Sequence, residues 1–243
     1  MTKSFSIKEA ISFGWNVINN NLGFFIKLFI LIGFIYVILA LISFFFVTKG
    51  DFSEENKWIL FDKSLPLLLF SSILSIVRII ISILITMGFI KISLKFYGNE
   101  KANIFDLFSS SHPLFFKYLI GNILYSLIVF LGLILLIIPG IIWSIKFQFF
   151  AYLIVDKGLG PIQALKESSK ITKDNRWHLF LFEIVILFIN ILGFLAFRIG
   201  LFITIPITFI AYAYVYRQLL FSLELSDIPP ELIKIPDELN KNI

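Results

Sequence analysis

LGFFIKLFILIGFIYVILALISFFFV, Leu22–Val47, is one unbroken apolar run with a single lysine near its start. It exceeds the roughly 20 residues needed to cross the hydrocarbon core of a bilayer. Five or six such apolar stretches fill the sequence, so the run is typical of this chain. Hydrophobic residues make up 58% of the sequence and charged ones only 15%. Soluble domains carry about 45–50% and about 25%. The chain therefore reads as an all-α, polytopic integral membrane protein, with no stretch left over for a soluble catalytic domain. The 30 phenylalanines read as lipid-facing and helix-packing surface.

The spans follow from length. Thr48–Ser64 is polar and forms a first loop, and Leu65–Phe96 is a second apolar run ending at Lys91 and Lys95. Leu114–Val155 has no polar loop, yet one helix of that length would measure about 63 Å at ~1.5 Å per residue, twice the hydrocarbon thickness. It must fold back, and Pro139–Gly140 is the local breaker expected to turn it. Leu179–Phe221 must turn too, with Gly193 or the Arg198–Gly200 stretch as candidates and Pro206 kinking or starting the last helix. The expectation is six transmembrane helices in three hairpins, at about 22–47, 65–96, 114–138, 141–155, 179–197 and 200–221. They form one membrane domain over residues 1–226, followed by a polar tail over 227–243. No removable signal peptide is read at the start.

Orientation follows from lysine and arginine in short loops. One side receives Lys3, Lys8, Lys91, Lys95, Lys101, Lys157, Lys166, Lys170, Lys173, Arg176 and Arg217. The other receives Lys49, Lys57, Lys63 and Arg198. Both termini are expected to be cytoplasmic, in a bacterial cytoplasmic membrane. Trp15 and Trp177 then fall at the cytoplasmic boundary, and Trp58 and Trp143 near the outer one. Within Ser4–Asn20, residues Ile7, Ala10, Ile11, Gly14, Trp15 and Ile18 recur at helical spacing, which predicts an amphipathic interfacial helix. Gly160–Asn175 plays a similar part, with Lys166, Lys170, Lys173 and Arg176 as a basic cytoplasmic face. Aligning Ser6–Ile26 with Gly160–Phe180 pairs Ala10 with Ala164 and Asn21 with Asn175. With "NIFDLFSSSHP" in the corresponding place before the third span, this suggests three parallel units of one interfacial segment plus two spans.

Several of these residues carry a family resemblance. Pro139–Gly140, Lys146, Asp156, the Ala164–Leu165–Ser168 helix and Asn175–Arg176–Trp177 contribute, as do Gly200 with Pro206, Tyr216–Arg217 and the opening "FSIKEAISFGW". Over roughly residues 4–221 the chain resembles a bacterial superfamily of uncharacterised membrane proteins. That superfamily includes the DUF975 group and the membrane domain fused to some glycerophosphodiester phosphodiesterases. The resemblance implies a fold and leaves function open. The fused phosphodiesterase is a separate soluble unit, and its activity does not carry over.

Chemistry-bearing residues are scarce. There is no cysteine, and His112 and His178 have no ligand-spaced neighbours. No nucleophile with a base, metal cluster or phosphate loop is legible, so no enzyme activity, catalytic residue, metal or cofactor is expected. Charges inside spans remain, because each is costly at mid-bilayer unless paired or hydrated. Arg78, Lys146 and Arg198 fall in the outer half, and Glu183 lies near the cytoplasmic face as the one intramembrane acid. Three readings stand open for the cations: snorkelling, pairing to helix carbonyls, or a pocket for an anion such as a lipid phosphate. Gln148 and Asn122 would add donors to such a pocket. The function expected is a non-enzymatic module binding lipid, anionic lipid included, or a membrane protein partner. The alternative is a transporter of a small anionic or amphipathic solute. Nothing points to nucleic acid.

Overall fold

The computed structural model describes residues 5–49, 60–109, 112–196 and 200–226, and every described element is helical. Trp58 and Arg198 lie outside the described residues, as does the C-terminal tail. In chain order come α1 (Ile7–Asn20), α2 (Leu22–Lys49), α3 (Leu60–Tyr97), a short 3-10 helix (Ile104–Phe108) and α4 (His112–Leu135). They are followed by α5 (Ile137–Phe147), α6 (Phe150–Lys157), α7 (Pro161–Ile171), α8 (Arg176–Leu195) and α9 (Leu201–Ser226). Each pair of long apolar segments is thus preceded by a short helix.

Among the described residues, five helical segments are long and apolar enough to cross a membrane: Leu22–Phe46, Leu68–Tyr97, Pro113–Leu135, Ile137–Lys157 and Arg176–Leu195. The sequence reading expected six. The last helix, α9, is not among the five, because Tyr212, Tyr214, Tyr216, Arg217 and Gln218 dilute its apolar character. Its position accounts for this. Ala211, Ala213, Val215 and Tyr216 are fully buried, and α9 packs against α1, α3, α7 and α8. A helix enclosed by protein does not need an apolar outer face. By contrast α2 buries only Phe25, Leu28 and Leu39 among its described side chains.

Local chemistry sets the element boundaries. Ser6 caps α1 by accepting the Glu9 N–H at 3.4 Å, satisfying one of the orphan donors of the first turn. α1 reaches three elements. The Phe5 carbonyl lies 3.1 Å from His178 Nε2, Gly14 meets the Ile207 backbone, and Phe13 stacks edgewise on Tyr97 at the end of α3. The predicted amphipathic helix exists, and its apolar stripe of Ala10, Gly14 and Ile18 is buried against protein. The segment before α4 is the 3-10 helix, held by a capping box between Asn103 and Asp106 and seated on Gly88 of α3.

The first expected turn needs correction, and of the two candidates for the second, Gly193 does not make it. The chain reverses at Leu136, whose backbone is extended, three residues ahead of Pro139. Pro139 sits in the first turn of α5, where its missing N–H leaves no helix bond unmade. Gly140 instead lets the two helices touch, since a Cβ there would lie 2.9 Å from Leu133 N, and one on Gly132 would lie 2.9 Å from Gly140 Cα. Likewise Gly193 is inside α8 and makes the close approach to Gly200 and Thr204. The reversal comes after Leu195 and before Leu201, in the part of the chain that holds the other candidate, Arg198–Gly200, where residues 197–199 lie outside the described residues.

Candidate functional site

Between α3, α4, α5, α6, α8 and α9 lies a cavity of about 590 Å³, inside the ~300–1,000 Å³ range of small-molecule sites. Among the described residues, Glu183 of α8 is the one charged residue in its lining. Gln148, Tyr118, Tyr125, Tyr152, Tyr212, Thr86, Ser144 and Thr208 supply the other polar groups. Ile90, Ile141, Ile145, Phe180, Ile184 and Leu187 form the apolar part of the wall. Ile141 and Leu187 are exposed and mark an open side between α5 and α8.

Hydrogen bonds use some of these groups and leave others. The Tyr212 hydroxyl donates to Glu183 Oε2. Tyr152 donates to the Phe209 carbonyl at 3.0 Å, and Tyr125 to the Ser144 carbonyl at 3.4 Å. Thr86, Ser144 and Thr208 donate back to carbonyls of their own helices, which leaves the Thr86 and Ser144 oxygens as acceptors, whereas the Thr208 oxygen already accepts from Asn190 Nδ2 at 3.0 Å. Two buried atoms, Glu183 Oε1 and Gln148 Nε2, have no partner among the described residues.

Gln148 is placed by a break in the helix. α5 ends at Phe147 and α6 begins at Phe150. From α7, the Ser168 hydroxyl accepts the Phe149 N–H at 3.2 Å and donates to the Lys146 carbonyl at 3.1 Å. Thr172 Oγ1 also lies 3.1 Å from that carbonyl. Both hydroxyl residues are fully buried. Side chains of α7 thus replace the missing helix bonds, as a buried backbone requires. Gly158 closes α6 at φ +64°, a left-handed position that suits glycine, and lets α7 fold back beside it. On the other flank, Tyr216 donates to Asp156 Oδ2 at 2.9 Å and Arg217 to Oδ1 at 2.7 Å, tying α6 to α9.

The residues singled out from sequence scatter. Gln148 and Glu183 meet in the cavity, whereas Arg78 and Asn122 are exposed on α3 and α4. Lys146 is half-buried, its ammonium 4.9 Å from the centroid of the Phe147 ring, and does not line the cavity. Arg198 is outside the described residues. Lys166, Lys170 and Lys173 are exposed along α7 and just after it, with Lys170 paired to Glu167 at 2.9 Å. Arg176 is half-buried, with its Nε unpartnered among the described residues.

Sequence reasoning missed the phenols. A signal existed: Tyr118 and Tyr125 are seven apart on α4, and Tyr212 and Tyr216 four apart on α9, so each pair shares a helix face. It also passed over Lys117, which donates to the Gly158 carbonyl at 2.7 Å. Among the described residues no group of three or more His, Asp or Glu could hold a metal ion.

Residues 118–227 match the model of a family described as a domain of unknown function, DUF7847. That segment carries every cavity-lining residue except Thr86 and Ile90. No curated protein and no solved structure matches the chain. None of these comparisons links it to the DUF975 group.

Proposed function

We propose that this chain is a non-enzymatic integral membrane module that holds an amphipathic, lipid-like molecule in the Glu183–Gln148 cavity. The supporting observation is that Glu183 and Gln148 line one cavity and that each carries a buried polar atom, Glu183 Oε1 and Gln148 Nε2, with no partner among the described residues. An unmade bond to a buried group costs about 1–3 kcal/mol, so a site that keeps two is poised for an outside partner. The apolar wall and the opening beside Ile141 and Leu187 suit a ligand arriving from the bilayer. The proposed setting is six spans in three hairpins, α2–α3, α4–α5/α6 and α8–α9, in a bacterial cytoplasmic membrane. Both termini are cytoplasmic, and α1 and α7 lie at that interface. The exposed lysines of α7 then face anionic headgroups, a contact separate from the cavity.

A transporter reading draws on one observation, the broken helix at Gln148–Phe149 beside the cavity, since transporters build sites at discontinuous helices. Both readings need an occupied cavity. The test is native mass spectrometry of the protein purified in mild detergent, comparing wild type with Ser144→Phe, which fills the cavity from its wall. A retained amphiphile lost in the variant supports the reading. Equal retention, or none in wild type, refutes it.

A further inference from the structure

The cavity's polar groups constrain the head of the molecule it takes. Resting on the reading above, we propose that the ligand is a neutral amphiphile with a hydroxylated head, of the acylglycerol type. Among the described residues Glu183 is the one charged lining residue, and no lysine or arginine among them lines the cavity. A phosphate or carboxylate head would meet that carboxyl with no compensating cation, and burying an unpaired charge is heavily penalised. An ammonium head could pair with Glu183 but has no acceptor to offer Gln148 Nε2. Hydroxyls donate and accept, so they satisfy Glu183 Oε1 and Gln148 Nε2 together, the two atoms of cavity-lining residues that have no partner among the described residues. Thr86 and Ser144, whose protons are committed to their own helices, provide further acceptors for additional hydroxyls. The tail lies along Ile145, Ile184 and Leu187 toward the open side.

Three probes of equal chain length separate head from tail: glycerol monodecanoate, decylammonium and decanoate. Their retention is measured by native mass spectrometry on wild type, Glu183→Gln and Ser144→Phe. Wild type should hold the glyceride about tenfold more tightly than either charged probe, the worth of one hydrogen bond to a charged group. Glu183→Gln removes the carboxyl that repels decanoate, so the glyceride-to-decanoate ratio should fall about tenfold. Equal retention of all three by wild type, with all three lost in Ser144→Phe, would overturn the head assignment and leave the cavity reading standing. A ratio unchanged in Glu183→Gln would overturn the assignment too. No retention by wild type would overturn both.

Discussion

The hydroxyl of Tyr212 on α9 donates to Glu183 Oε2 on α8, joining two neighbouring helices through a charged group in the cavity wall. Removing the phenol leaves a buried carboxyl oxygen without its donor. Tyr212→Phe should therefore lower stability by about 1–3 kcal/mol, read by denaturant titration in detergent. In a Glu183→Leu background the same substitution should cost far less, because the pair is then gone as a unit. Equal costs in the two backgrounds would mean that Tyr212 acts through packing alone.

Ser168 and Thr172 bridge the α5–α6 break from α7, and Phe149 N–H has its bond only from Ser168 among the described residues. Ser168→Ala orphans that donor, at about 1–3 kcal/mol. Amide exchange at Phe149 should accelerate, while the lower half of α6 keeps its protection. Unchanged exchange at Phe149 would mean the junction does not depend on α7.

Glycines separate close approach from mere flexibility. Gly140→Ala drives a Cβ to 2.5 Å from Leu133 Cδ2 and 2.9 Å from its backbone N, an overpacking cost of about 1–3 kcal/mol. Gly33→Ala in α2 meets nothing within 4 Å and should gain about 0.5–1 kcal/mol from helix propensity. Thermal unfolding of the two variants should move in opposite directions.

Outside the spans, Asp106 ties the 3-10 helix to α3 through Lys95 at 2.8 Å. Burial alone raises its carboxyl pKa, but the Lys95 hydrogen bond and charge, the Asn103 N–H and the Lys91 charge together hold it below the usual value. A carboxyl with a lowered folded-state pKa stabilises fully above its unfolded pKa of about 4 and loses that contribution as pH falls through the folded value. Wild type should exceed Asp106→Asn in stability at pH 6, with the gap closing progressively below about pH 4. A gap that persists at pH 2 would assign the effect to shape rather than charge.

Much of the helical layout was legible because apolar length decides it, and Leu22–Val47 and Leu114–Val155 leave few choices. Turn positions were less so. Proline and glycine read as breakers, yet Pro139 sits harmlessly in a first helical turn and Gly140 and Gly193 serve helix contact. The candidate site was half legible. Formal charges drew the reading to Arg78 and Lys146, but sequence does not reveal which way a side chain faces, and neither lines the cavity. No role was read for the tyrosines inside the apolar runs, so the phenols around Glu183 went unread. Ser168 and Thr172, four apart on a polar-looking segment, belong to its buried face. They are needed there by a helix break that no proline or glycine marks.

The most direct test of the cavity as a ligand site is photolabelling in the membrane. Protein in vesicles doped with a diazirine-bearing monoacylglycerol is irradiated, digested and mapped. Adducts should concentrate on the α5–α6 junction and on α8, at Gln148, Phe180 and Ile184, and disappear in Ser144→Phe. Label spread over the exposed flanks of α2 and α3, at Ile30, Phe34 and Ile76, and indifferent to that substitution would contradict the account.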